Sequence, residues 1–178
     1  MKSINNYISE KLVINKNTGK KYYKYFPETK EELQNIIKQR IEKEGYECDL
    51  NDIDVSKITD MNDLFFDNEF NGNISEWDVS NVTSMQYMFY LSNFNQDISS
   101  WDVSNVKYMN SMFESSYFNQ DISNWDVSNV KNMKWMFMYS EFNQDISKWK
   151  INKKCNIIGI FGKSQLEGKE QKWWGRTE

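Results

Sequence analysis

The sequence predicts an α/β repeat fold: a right-handed solenoid with one short parallel strand and one helical turn per 24-residue coil, closed at its N-terminal end by a hairpin and a helix. Three observations predict it. The first is a period of 24 between Asn71 and Ile146, in which Trp77-Asp-Val-Ser-Asn-Val82 returns at 101–106 and at 125–130. The second is a pair of motifs after each copy: Met-x-x-Met-Phe (Met85, Met88, Phe89; Met109, Met112, Phe113; Met133, Met136, Phe137), then Phe-Asn-Gln-Asp-Ile-Ser from Phe94, Phe118 and Phe142. The third is the spacing of apolar residues inside one copy, which passes from a strand-like step of two to helix-like steps of three and four. Self-similarity at a fixed short period is the mark of a chain that coils and stacks on itself.

Residues 1–52 are read as an N-terminal cap. Leu12-Val13-Ile14 and Tyr22 to Phe26 are two β-prone runs, and Asn15-Lys-Asn-Thr-Gly19 between them carries the turn residues of a hairpin. Pro27, the only proline, stops the second run. Thr29-x-x-Glu32 is a capping box, after which Leu33, Ile36, Ile37 and Ile41 form one apolar helix face that ends near Gly45. A hairpin and an amphipathic helix together have one apolar side, and the open face of a first coil is what that side would cover.

Residues 53–162 are read as four and a half coils. A weaker copy precedes the three clear ones (Ile53-Asp-Val-Ser, Met61, Leu64-Phe65, Phe70-Asn71, Ile74-Ser75), and a half-copy comes after them (Trp149, Ile151, Ile157, Ile160, Phe161). Ile98-x-x-Trp101-x-Val103 has the spacing of a leucine-rich repeat and places Trp101 and Val103 on one face of a short strand. Val106, Met109, Met112 and Phe113 fall at steps of three and four, which predicts one side of a helical turn. Phe118 and Ile122 bring the chain back inward. One coil cannot bury enough apolar surface to offset the entropy of ordering it, so it has to be stacked on neighbours and capped.

The units WDVSNV, M-x-x-MF and FNQDIS resemble the BspA-like leucine-rich repeats of bacterial surface proteins, close to the variant abundant in mycoplasma lipoproteins. The resemblance covers about residues 53–161. It implies a solenoid that binds proteins or host surfaces, without catalytic residues, and so a place at a cell surface or on a virion. The beginning of the chain is similar to small repeat proteins of this kind encoded by phages and gut bacteria. The sequence departs from the surface-protein pattern in opening Met1-Lys-Ser-Ile-Asn-Asn-Tyr, with no signal peptide or lipobox and no run of membrane-spanning length, so it is expected to be soluble and cytoplasmic as made.

Residues 163–178 are read as a basic C-terminal tail, polar until Trp173-Trp174. Adjacent tryptophans point to different sides of any regular element, so one could pack on the last coil while the other stays exposed, and the segment is either a partly ordered end or a docking tag.

Charge is uneven. Residues 1–52 carry 10 basic and 9 acidic groups (+1), residues 53–148 carry 5 and 14 (−9), and residues 149–178 carry 7 and 3 (+4). An acidic repeat body repels phosphate, which argues against a nucleic-acid partner. The chain has no histidine, the commonest general base and metal ligand. Cys48 and Cys155 stand at opposite ends of the repeats with no zinc spacing, about four coils apart, and are expected to remain free thiols.

Polar and aromatic positions give the candidate sites. Asp54, Asp78, Asp102 and Asp126 recur one coil apart and are expected to face outward. They could form a groove for calcium or a cationic partner, or each could close an Asx turn with the Ser-Asn beyond it. Asn95, Asn119 and Asn143, with Asp97, Asp121 and Asp145, make a second ladder of structural kind. The repeated Trp77, Trp101, Trp125 and Trp149 could suggest sugar stacking, but their register makes them core.

The residues that change from coil to coil are free to specialise. One register reads Tyr87, Ser111, Trp135; another reads Leu91, Ser115, Tyr139; Tyr90, Tyr108 and Tyr117 lie nearby. On the strand side Glu76, Ser100, Asn124 and Lys148 change charge along the stack. Tyr and Trp anchor protein interfaces, so Tyr87, Tyr90, Tyr108, Tyr117, Trp135 and Tyr139 are the candidate recognition face.

The expected function is a non-enzymatic recognition module with no cofactor and no metal, whose partner is a protein of unstated identity, with a glycan as the lesser candidate. The alternatives are a cation-dependent binder using the aspartate ladder and a carboxylate-pair hydrolase. The hydrolase needs two carboxylates in different environments, which identical ladder positions do not supply.

Overall fold

The computed structural model of the chain describes residues 22–174. Successive repeats lie side by side in parallel register. Parallel bridges join Asp60 to Ser84, Ser84 to Tyr108, Tyr108 to Asn132 and Asn132 to Asn156, each a repeat further on. Beyond the bridge, alternate N–H groups of one repeat donate to carbonyls of the next: Met85 to Tyr108 (2.9 Å), Tyr87 to Asn110 (3.2 Å), Phe89 to Met112 (2.9 Å) and Leu91 to Glu114 (3.0 Å). The same four donations start from Met61, Met109 and Met133. Before the bridge the direction reverses, with Thr83 donating to Thr59, Lys107 to Thr83 and Lys131 to Lys107 (2.8 Å each).

This pairing differs from the sequence expectation in two respects. The sequence places the strand at Trp77, Trp101, Trp125 and Trp149, but the backbone pairing sits at the Ser84 and Tyr108 register and runs on through Met-x-x-Met-Phe. At the tryptophans it is the side chain that bridges: the indole N–H of Trp101 donates to the Ile74 carbonyl (3.1 Å), that of Trp125 to Ile98 (3.2 Å) and that of Trp149 to Ile122 (3.1 Å).

The second difference is that Met-x-x-Met-Phe is a chain of overlapping β-turns, not a helical turn. Met88 N–H donates to Met85, Tyr90 to Tyr87 and Ser92 to Phe89 (3.1–3.4 Å). Left-handed residues stand at Tyr87 (φ 56°) and Leu91 (φ 54°), and at the same register in every repeat. A left-handed residue at each fourth position prevents the i→i−4 ring from closing and turns alternate N–H groups along the stack. Among the described residues the helices are α1, Lys30–Glu44, and α2, Lys169–Trp174.

The core is a set of aromatic columns. Phe65, Phe89, Phe113, Phe137 and Phe161 stack with centroids 5.5–5.9 Å apart. Phe70, Phe94, Phe118 and Phe142 stack at 6.2 Å. Offset stacks at these spacings are favourable for aromatic rings. The four repeat tryptophans are buried beside them, as their register predicts.

At the N-terminal end Thr29 caps α1 by accepting from the Glu32 N–H (3.2 Å). The Glu32 carboxylate reaches back to the Glu28 N–H (2.8 Å), one residue before the usual partner in a capping box. Leu33 and Ile37 face the core, and the third buried residue of α1 is Arg40. Its guanidinium forks onto Glu44 (2.9 and 2.8 Å), and also reaches Asp52 (2.6 Å) and the Asp49 carbonyl (2.8 Å). Burial works against its charge, but Glu44 and Asp52 outweigh that and raise its pKa. Arg40 thus ties α1 to the start of the first repeat, while Tyr25 pairs in parallel with Ile53. The first arm of the expected hairpin, Leu12-Val13-Ile14, and its turn lie outside the described residues.

Gly72 stands where later repeats carry Gln96, Gln120 and Gln144. The chain from α1 passes against it, with the Asn71 N–H on the Tyr46 carbonyl and the Leu50 N–H on the Asn73 carbonyl (2.9 Å each). A Cβ at position 72 would overlap the Cys48 carbonyl oxygen, so the close approach requires glycine.

The segment after Gly162, expected as a tail, packs on the last repeat. Leu166 is buried, and both Trp173 and Trp174 lie on Phe161, at 5.8 Å edge-on and 5.7 Å stacked. Cys48 and Cys155 are both buried free thiols.

Candidate functional site

Each ladder aspartate closes an Asx turn. Asp54, Asp78, Asp102 and Asp126 accept from the N–H of the serine two residues on, at 3.0–3.1 Å. Asp97, Asp121 and Asp145 do the same with Ser99, Ser123 and Ser147 (2.8–2.9 Å). Hydrogen bonds from the hydroxyl and amide of Ser104 hold Asp102 below the usual carboxylate range, and Ser128 does the same for Asp126. The amide and hydroxyl of the serine two residues on lower Asp97, Asp121 and Asp145 in turn. All five shift the same way for the same reason. Asp78, Asp102 and Asp126 are exposed and Asp54 is half-buried. Among the described residues no group of acidic or cysteine side chains is arranged to hold a metal ion.

The asparagine ladder is continuous. The amides of Asn95, Asn119 and Asn143 each donate to the side-chain oxygen of the asparagine one repeat earlier, beginning with Asn71 (2.8–2.9 Å). Gln120 and Gln144 donate to the Asn95 and Asn119 carbonyls (3.0 and 3.1 Å). These side chains are engaged in holding repeats together.

The aromatic candidates divide. Tyr87 and Leu91 occupy the two left-handed positions of one repeat, Ser111 and Ser115 those of the next, and Trp135 and Tyr139 those of the third (φ 54–61°). In the first repeat the same positions are Asp63 and Asp67, and in the last Gly159 and Lys163. Tyr87 meets Tyr90 edge-on (6.0 Å), and Tyr90 stacks on Phe66 (5.0 Å), an exposed ring outside the candidate set drawn from the sequence. Trp135 and Tyr139 are 37% and 57% exposed, and the Lys134 ammonium lies 3.7 Å from the Trp135 ring centroid. Tyr87 and Tyr90 are half-buried.

The structure does not bring Tyr108 and Tyr117 into this group. Tyr108 is in the bridge register between Ser84 and Asn132, and Tyr117, 62% exposed, lies past the inward-facing Ser116, its N–H on the Ser92 carbonyl (3.2 Å). The turn face therefore carries the ring cluster Phe66–Tyr90–Tyr87, with Leu91 in the same repeat as the two tyrosines, and Trp135 and Tyr139 two repeats further on, at the register of Tyr87 and Leu91. The repeat of Ser111, Glu114 and Ser115 separates them.

Residues 31–117 and 114–175 match the family model described as "Mycoplasma protein of unknown function, DUF285". No curated protein and no solved structure matches the chain. No helix among the described residues is long and apolar enough to cross a membrane.

Proposed function

This chain belongs to the DUF285 family of Mycoplasma proteins, and from that premise we propose that it is a non-enzymatic binding module which recognises a protein partner through the turn face of its repeats. On this reading the stacked repeats form a right-handed, leucine-rich-repeat-like solenoid of the BspA-like kind, and the 24-residue parallel register is what supports it.

One observation carries the functional reading. Tyr87, Leu91, Trp135 and Tyr139 sit at left-handed backbone positions, where a side chain costs roughly 1–2 kcal/mol relative to glycine. The middle repeat fills the same positions with Ser111 and Ser115, so the fold does not require bulk there. Large apolar side chains that reach water at positions the next repeat fills with serine are placed for contact with something else. An acidic repeat body favours a partner with a basic patch over a neutral glycan, chiefly by speeding association at low salt.

The test uses the serines already present as a guide. A variant with Tyr87→Ser, Leu91→Ser, Trp135→Ser and Tyr139→Ser gives three repeats the same residues at their left-handed positions. Used as bait beside the wild-type chain in cell lysates, it is expected to lose the protein that the wild type enriches. Equal enrichment of that protein by both baits would overturn the reading.

A further inference from the structure

The turn face is oppositely charged at its two ends. From the first repeat to the last its left-handed columns read Asp63, Tyr87, Ser111, Trp135, Gly159 and Asp67, Leu91, Ser115, Tyr139, Lys163. Backbone hydrogen bonds to the following repeat fix both columns. They start from the N–H of Asp63, Tyr87, Ser111 and Trp135 (3.0–3.2 Å) and from that of Asp67, Leu91, Ser115 and Tyr139 (2.8–3.0 Å). Asp67 and Lys163 therefore share a column, two repeats before and two repeats after the small Ser115. Both are exposed, and among the described residues neither has an ion-pair partner in its own chain.

A face with this order is complementary to itself when one copy is turned end for end. Consider a two-fold axis lying in the face, across the third repeat and at right angles to the stack. It sets each column against the same column of a second copy with the repeats reversed. Asp67 then meets Lys163 of the second copy, and the symmetry makes this pair twice. Tyr87 meets Trp135, Leu91 meets Tyr139, and Tyr90 meets the thioether of Met138, all favourable apolar contacts. Ser111 is buried and adds no bulk at the axis. An axis along the stack would instead set one column against the other within each repeat. Asp63 would then meet Asp67, and Lys163 would meet Gly159, so charge selects the reversed arrangement. One contact opposes it: Glu114, half-buried in the third repeat, comes beside its own copy at the axis.

We propose that the turn face docks a second copy of this chain, reversed about the third repeat, as a two-fold dimer. The proposal rests on the proposed binding function and names the partner of that face. The basic patch that suits an acidic repeat body is then supplied by the chain's own residues 149–178, at +4.

The experiment is sedimentation equilibrium of the full-length chain over a concentration series reaching about 1 mM. The mass is expected to rise with concentration from one chain toward two, and the four-serine variant to remain at one. Asp67→Lys is expected to weaken the dimer at least about threefold, since each dimer holds the pair twice. Adding Lys163→Asp to it is expected to restore the dimer. Glu114→Gln is expected to tighten it at least about twofold, by removing a like-charge contact. Four results would each overturn the proposal: a mass of one chain throughout, a four-serine variant that dimerises like the wild type, a double variant no tighter than Asp67→Lys, or a Glu114→Gln variant no tighter than the wild type. If the wild type stays monomeric while the four-serine variant still loses its captured protein, the second copy is wrong and the turn-face reading stands.

Discussion

Neighbouring residues in one repeat have opposite tasks, and their substitution costs separate them. Trp101 is buried between repeats and donates to the Ile74 carbonyl. Trp101→Ala is expected to cost about 3–5 kcal/mol in denaturant unfolding. Asp102 next to it is exposed and closes only a local turn, so Asp102→Ala is expected to cost about 0.5–1.5 kcal/mol. A reversed ranking would mean that inside and outside have been exchanged. At φ 56° and 57% exposure, Tyr139 tests the left-handed register. Tyr139→Gly should melt at or above the wild-type temperature and Tyr139→Val below it. Acid stability depends on the Asx turns. Asp97, Asp102, Asp121, Asp126 and Asp145 have pKa values lowered by folding. The stability they contribute is present above the unfolded value near pH 4 and lost as pH falls through the folded values. Melting temperature should therefore fall below about pH 4. Replacing all five by asparagine, which can still accept the serine amide, should flatten that fall.

At the level of elements, the caps depend on two positions. Arg40 joins α1 to the first repeat through Glu44 and Asp52, and Arg40→Met leaves both carboxylates without it. The expected loss is about 2–4 kcal/mol, somewhat less than for a fully buried broken pair because Glu44 remains partly in water. Gly72→Ala is expected to lower stability by about 1–3 kcal/mol, since the added methyl meets a backbone oxygen.

The core columns are legible in the sequence because Trp, Met and Phe recur without change. The left-handed turns are not, because Met-x-x-Met-Phe has the helix-like spacing of three and four. The corrective signal lies at the variable positions between those residues, where Asp63, Asp67 and Gly159 are types that tolerate positive φ. Arg40 escapes a sequence reading because a charged residue is not expected on a buried helix face. Its place seven after Leu33 and three after Ile37, with Glu44 four further on, marks it. A column of buried serines escapes as well. Ser92, Ser116 and Ser140 each accept, at the hydroxyl, from the amide of the inward-facing phenylalanine two residues on (3.4 Å). Their fixed offset from Phe94, Phe118 and Phe142 is visible, but small polar residues in a repeat are read as loop.

For the whole molecule, stability is divided among near-identical units and two caps, so it should respond to whole repeats. Deleting residues 101–124 keeps every column in register and is expected to give a folded, less stable protein. Deleting half of that length puts Trp and Phe into each other's columns and is expected to abolish cooperative unfolding. The same division frees the turn face. Ser111 and Ser115 show that a repeat stacks without large side chains at the two left-handed positions, and on the proposed reading Tyr87, Leu91, Trp135 and Tyr139 serve a partner and not the fold. The melting temperature of the four-serine variant tests this most directly, measured on the same preparation used for partner capture. The account predicts a melt within about 3 °C of wild type or above it, together with loss of the captured protein. A melt lower by about 10 °C or more, or unchanged capture, would contradict it, because the rings would then belong to the scaffold or the interface would lie elsewhere.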